Sequence, residues 1–268
     1  MSFKIGWFST GKDKQAQDLL QKTWRAAKEG RIGPVEISYV FSNREWAEKK
    51  ESDEFIKLCR QLKIPLICLS SSKFYPELRR KGLKEEKKGN PGLINQWRML
   101  YDEKVIEMIG KCPVDIIFLA GYMLILGEEF CKKFYILNLH PAAPGGPKGT
   151  WQEVIWQLIE KRMKDTGIMI HKVTPELDAG PSITYCKFSL RGEKFDPLWK
   201  KIEEKLKNKS LKEIKREEGE KEPLFAAIRE EQKKREIPFI LNTLKLLAER
   251  KIDVYKIKNP VLIDNLEV

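Results

Sequence analysis

Two short segments carry the residue types that acyl-transfer chemistry needs. One is Asn138-Leu139-His140-Pro141, and the other, about forty residues on, is Leu177-Asp178-Ala179-Gly180-Pro181. The chain has only two histidines, so one beside an amide and a candidate carboxylate is a place to look for proton transfer. When an amine attacks a formyl or acyl carbon, the tetrahedral intermediate carries an oxyanion and an ammonium that must lose a proton. An amide N–H from Asn138 and a protonated imidazole at His140 suit the oxygen. Asp178 suits the imidazole, raising its pKa and favouring the charged form, or it takes the amine proton directly or through water. On a strand, the i, i+2 spacing turns Asn138 and His140 to one face. The second histidine, His171, lies inside an apolar strand and reads as structural.

Positioning those side chains falls to the elements around them. An apolar run over residues 135–139 breaks at a proline, as a strand ending in a functional loop does. Further strands are expected at residues 3–9, 34–41, 64–69 and 114–120, with helices at 15–28, 54–62, 97–109 and 151–164. Strands alternating with helices at this spacing argue for βαβ units and a parallel sheet. The most hydrophobic segment, 114–120, suits a buried central strand. Residues 167–173 and 182–188 are expected to close the sheet as an antiparallel pair. Residues 70–95 read as a long polar excursion or flap. Past residue 195 the pattern is helical, with helices at 195–211 and 223–235. Pro238 inside a helix would remove a hydrogen bond, so a break is expected there, with a new helix running to about 249. Residues 254–268 read as an edge strand or an arm. The fold class is therefore α/β: a Rossmann-like domain over residues 1–205, with helices on both faces of a mostly parallel sheet. A mainly helical C-terminal extension, 206–268, is expected to pack on it.

Composition narrows the class. With 268 residues, 41% hydrophobic and 34% charged, the chain has the make-up of a soluble globular protein. No apolar run reaches a membrane span, and Lys12 and Asp13 follow the first strand too soon for a secretory signal. Five cysteines without CxxC spacing fit a reduced, cytoplasmic compartment and offer no zinc ligand set; no metal is expected. The net charge of +12 invites nucleic acid. Its lysines, however, alternate with glutamates, as on the solvated helices of a thermophile.

With these residues on the page, the chain resembles the formyltransferases that use 10-formyltetrahydrofolate. Asn138-Leu139-His140-Pro141 is similar to their Asn-x-His-Pro signature, and Leu119-Ala120-Gly121-Tyr122-Met123-Leu124-Ile125-Leu126 to their LAGYMRIL segment. Thr166-Gly167-Ile168, with the stretch from Val173 to Pro181, is similar to their TG…V…LDxGP segment. The resemblance covers about residues 3 to 205 and runs closest to the phosphoribosylglycinamide formyltransferase family of purine biosynthesis. It implies catalytic roles for Asn138, His140 and Asp178. It implies a folate slot lined by Met123, Leu124, Ile125 and Leu126, with Val173, Thr174 and Leu177 as the other wall. Arg98 resembles the arginine of an R-x-x-Y/F-D element that contacts the folate. The loop Gly11, Lys12, Asp13 stands where the family holds the ribotide phosphate. Gly11 permits close backbone approach, and Lys12 with the helix start beyond it suits an anion. Asp13 replaces an asparagine and reads otherwise as a helix N-cap.

The loop after His140-Pro141 departs from the family's Ser-Leu-Leu-Pro continuation, and no counterpart of its Glu-His-x-x-Tyr-Pro element stands near Glu203. Both departures bear on the acceptor. The expected partner is a small-molecule primary amine, phosphorylated and of the phosphoribosylglycinamide kind, with a homodimer left open. Hydrolysis of the same folate, formylation of a sugar nucleotide or of methionyl-tRNA, and a non-enzymatic scaffold are the competing readings.

Overall fold

The computed structural model describes residues 2–264 and residue 266. Its first half runs β1 (Phe3–Ser9), α1 (Lys14–Lys28), β2 (Val35–Ser42), α2 (Lys50–Gln61), β3 (Leu66–Cys68), the helix pair α3 (Pro76–Glu86) and α4 (Gly92–Ile109), β4 (Ile116–Leu119), α5 (Glu128–Lys133) and β5 (Ile136–His140). There follow α6 (Trp151–Glu160), β6 (Asp165–Lys172), β7 (Ser182–Ser189), α7 (Asp196–Leu206), α8 (Leu211–Glu217), α9 (Pro223–Ala248) and β8 (Val261–Leu262). Among the described residues the strands form one sheet, ordered β3-β2-β1-β4-β5-β6-β7-β8. The first five are parallel, β6 is antiparallel to β5 and β7, and β8 adds a short parallel edge to β7. This is the expected α/β architecture with its helical C-terminal extension. Asn265, Glu267 and Val268, part of the expected edge strand or arm, lie outside the described residues.

The central strands are apolar on both faces because both are covered. Along β1, Trp7 enters one layer with Phe118 of β4, while its neighbour Phe8 enters the other with Tyr39, Phe41 and Leu119. The first layer is closed by α1 and by Phe239, Ile240, Leu244 and Leu247 of α9. The second is closed by α4 through Ile94, Trp97, Tyr101 and Val105. A third cluster joins α6 and α7 to Leu224, Phe225 and Ile228 at the start of α9. Each such fully buried side chain contributes about 1.5–3 kcal/mol, so α9 is anchored at both ends.

Two expectations fail here. Residues 70–95 are not a flap but hold α3 and the start of α4. The punctuation that suggested a loop has a packing role: Gly82 lies where a Cβ would meet the Ile94 backbone nitrogen at 2.7 Å. A glycine there lets the two helices cross closely. Nor is the helix broken at Pro238. α9 runs unbroken from Pro223 to Ala248 with the proline inside it. Its buried anchors on both sides of residue 238 outweigh the lost bond.

Candidate active site

In parallel sheets of this kind ligands sit beyond the C-terminal strand ends, where the strand order reverses. The reversal here falls between β1 and β4. The loops after β1, β4 and β5 line a cleft of about 350 Å³ at that point, together with the Asp178 loop and α9. The wall after β4 is held in place locally: Thr10 N donates to the Gly121 carbonyl at 3.2 Å, and Met123 N donates to Thr10 Oγ1 at 3.0 Å.

Asn138 and His140 stand on β5 opposite His171 and Met169 of β6. Asp178 arrives from the loop between β6 and β7 with φ of 50°, a left-handed conformation that Asp tolerates better than most residues. Its Oδ2 lies 3.5 Å from His140 Nδ1, and its Oδ1 lies 3.6 Å from His171 Nε2. Gly149 N donates to Asp178 Oδ2 at 3.1 Å, which ties the loop after β5 to the same carboxylate. Gly149 has φ of 110° and precedes the Thr150–Glu153 capping box that starts α6.

Hydrogen-bond partners set the proton positions. The Pro147 carbonyl lies 2.8 Å from His140 Nε2. A carbonyl only accepts, so Nε2 carries a proton and Nδ1 is the open base of the neutral ring. His171 Nδ1 likewise donates to the Lys172 carbonyl at 3.0 Å, and its Nε2 lies 3.3 Å from Asn138 Nδ2. Burial drives His140, 2% exposed, below the ordinary imidazole value; the Pro147 carbonyl and Asp178 pull upward but do not prevail. The imidazolium expected from the sequence is therefore not the resting form. For Asp178 burial pushes up, but the His171 contact, the His140 ring and the Gly149 N–H together hold the carboxyl below its usual range. The site rests as a carboxylate facing a neutral imidazole nitrogen, with an amide beside them. An arriving proton would be shared between Nδ1 and Oδ2.

The other sequence candidates divide. Met123, Leu124, Ile125 and Leu177 line the cleft. Met123, Ile125 and Leu177 are 47%, 41% and 56% exposed, an apolar wall left open to solvent. Leu126 is in the core instead. Val173 packs at the edge of that core with its N–H on the Ile136 carbonyl, and Thr174 bonds back to Glu176; neither lines the cleft. Arg98 does not reach it either, because Glu86 of α3, at 2.9 Å, and Asn95 hold its guanidinium. Lys12 and Asp13 line the cleft. Asp13 also caps α1 by accepting from Ala16 N at 3.0 Å. Gly11 sits behind them with φ of 59°, where a Cβ would meet the Phe55 side chain at 2.8 Å.

Sequence reasoning missed two contributions. His171, read as structural, is within reach of both Asn138 and Asp178. From α9 come Arg229 and Glu236, which line the cleft, and Gln232 just behind them. Arg229 lies over the Trp151 ring at 4.6 Å and pairs with Glu236, which accepts from Gln15 of α1 at 2.7 Å. Gln232 is fully buried and donates to the Pro141 carbonyl at 2.8 Å, next to His140. Its Oε1 and the Nε of Arg229 are buried without partners. The available signal was a polar stripe at i, i+3 and i+7 on one helix face, concealed in a run that reads as solvated charge.

Comparison with known proteins now decides the family. The sequence profile described as formyl transferase matches residues 4–194. The chain belongs to the formyl transferase family. A phosphoribosylglycinamide formyltransferase of Dictyostelium discoideum is 39% identical over 100 residues, 34% of this chain and 48% of that protein. A methionyl-tRNA formyltransferase of Thermotoga sp. strain RQ2 is 31% identical over 112 residues, 41% of this chain and 35% of that protein. These matches span half or less of the relatives' lengths. In fold, glycinamide ribonucleotide transformylase 1 from Symbiobacterium toebii superposes with a TM-score of 0.62 at 19% identity, over 98% of this chain and 95% of that one. The likeness thus extends through the C-terminal helix that the family profile leaves out.

Proposed function

We infer that the protein transfers a formyl group from 10-formyltetrahydrofolate to a primary amine. The acceptor of this reading is a phosphorylated ribosyl amine of the phosphoribosylglycinamide type, a step of purine biosynthesis. The observation that carries it is the convergence of Asn138, His140 and Asp178 at the base of a cleft with an apolar wall on one side and charged residues on the other. The exposed Met123, Ile125 and Leu177 suit a flat, largely apolar ring system. Lys12 with the start of α1 suits a phosphate, and Arg229 and Glu236 suit the polar body of an acceptor.

The folate supplies a carbon already at the formyl oxidation level: the amine–carbon bond forms, the carbon–N10 bond breaks, and one proton leaves the amine while another reaches N10. The chain's residues manage charge and protons. Asn138, fixed by His171, presents its remaining amide N–H to a developing oxyanion. His140 Nδ1, backed by the Asp178 carboxylate, takes the proton from the attacking amine and is placed to return it. Gly149 and Pro147 hold the two bases in register.

The test is turnover with 10-formyltetrahydrofolate and a panel of amines including phosphoribosylglycinamide, read by absorbance of the deformylated folate and by product mass. Formylated amine is expected, with phosphoribosylglycinamide best. Formate at the same rate without any amine would make the protein a hydrolase, and no turnover in any condition would end the assignment.

A further inference from the structure

Strand β5 ends at His140, whose pairing with Met169 is the last rung of the ladder with β6 at that end. The next carbonyl along the chain, that of Pro141, lies past the ladder and needs another donor. Gln232 of α9 supplies it: Nε2 donates to the Pro141 oxygen at 2.8 Å. The helix is fixed on either side of this residue, by Phe225 and Ile228 in one apolar cluster and by Phe239 and Ile240 in another. The donor is a pin set in a rigid element.

An amide is a poor choice for that place if only packing matters. Gln232 is fully buried, and its Oε1 has no partner. Leaving a buried acceptor unpaired costs stability, whereas an apolar side chain of the same length would fill the space without that cost. A lysine would also donate, but it would bring a buried charge. What glutamine adds is one uncharged N–H aimed at the backbone beside His140.

The pinned carbonyl opens a loop that returns to both candidate bases. Ala142 is fully buried in the cluster with α6. Further on, the Pro147 carbonyl meets His140 Nε2 at 2.8 Å, and Gly149 N donates to Asp178 Oδ2 at 3.1 Å. Gln157 of α6 holds the far end at the Lys148 carbonyl, at 3.0 Å. A shift of Pro141 displaces the ring and, with the loop, the carbonyl that fixes its tautomer.

We propose that Gln232 is a positioning residue for the formyl transfer: its hydrogen bond to Pro141 sets where His140 Nδ1 stands relative to Asp178 and the acceptor amine. The inference rests on the reading of His140 as the base of that reaction. Arg229 and Glu236 line the cleft from the same helix, so acceptor contacts and base placement share one rigid element.

The test compares Gln232→Met, which keeps the length and loses the donor, with Thr243→Val further along α9. Thr243 is fully buried and bonds Thr184 at 2.8 Å, and neither lines the cleft. Its replacement lowers stability without touching the loop. Two readouts are taken: steady-state kinetics of formyl transfer, and NMR titration of the histidine rings, of which the chain has only two. The titratable groups acting on His140 are Asp178, His171 and Lys148, with Arg229 and Glu236 in the same cleft. Both variants should unfold a few degrees below the wild type. Gln232→Met should also lose about 10- to 10²-fold in kcat, as a misplacement of about 1 Å does, with KM for the folate within about twofold. Its His140 midpoint should rise by about half a unit or more, because a loosened loop admits water to a ring whose pKa burial holds down. Thr243→Val should change neither. The inference is overturned if Gln232→Met keeps kcat within about threefold of Thr243→Val, or if its His140 signal titrates as in the wild type. Should Gln232→Met not fold, Gln232→Asn, whose amide falls one methylene short of Pro141, carries the same two readouts. If the wild type transfers no formyl group, the proposed function falls, and the ring titration alone decides whether Gln232 sets His140.

Discussion

Replacing Asp178 by asparagine tests the charge logic of the site with little disturbance of its shape. Asparagine is nearly isosteric, tolerates the left-handed backbone at φ of 50°, and can still accept from Gly149 N through its Oδ1. What it removes is the negative charge 3.5 Å from His140 Nδ1 and 3.6 Å from His171 Nε2. At that separation, and with the effective dielectric that suits protein sites, one unit pair is worth about 4–5 kcal/mol. The Pro147 and Gly149 hydrogen bonds survive and offset part of the loss, so about 3–4 kcal/mol of transition-state stabilisation should disappear. That corresponds to a fall in kcat/KM of about 10²- to 10³-fold. The assay is initial-rate formyl transfer followed by folate absorbance, with thermal unfolding of both proteins alongside. A folded Asp178→Asn protein within tenfold of wild-type kcat/KM would refute the role given to the carboxylate.

Two further outcomes follow from the same geometry. In the proposed mechanism the active form has His140 neutral and Asp178 ionised, and both groups lie below their ordinary values. Hence kcat/KM should be flat through neutral pH and fall only as pH drops through the lowered His140 value, with a midpoint below about 6.5. Activity that instead declines as pH rises through that region would mean the imidazolium is the working form. In α9, Pro238 leaves the Lys234 carbonyl without its helical donor, so Pro238→Ala should stabilise the protein by about 1–3 kcal/mol and raise Tm by a few degrees in calorimetry. A lower Tm would show that the proline's restriction of the unfolded chain matters more.

Much of this molecule was legible from residues near one another in the chain. Alternating apolar strands and amphipathic helices announced the α/β sheet because burial on two faces requires that pattern. The Asn138-His140 spacing and the Asp178 loop announced a candidate site because strand pleat and turn chemistry are local properties. Helix pairing across Gly82 was not legible, since a glycine between helices and a glycine in a loop look alike until the neighbouring backbone is placed. The state of His140 was also hidden: a carboxylate neighbour argues for a charged ring, and only burial among distant segments reverses it. The same holds for α9. Arg229, Gln232 and Glu236 are surface-like letters in a charged run, and Gln232 reaches Pro141 across 91 residues of sequence. Arg98 shows the converse, a residue with the right motif whose charge Glu86 of α3 has taken up. Periodicity and short motifs are written in sequence because they depend on neighbours along the chain. Proton positions, ion-pair partners and the walls of a cleft depend on neighbours in space, and those exist only once the chain has folded.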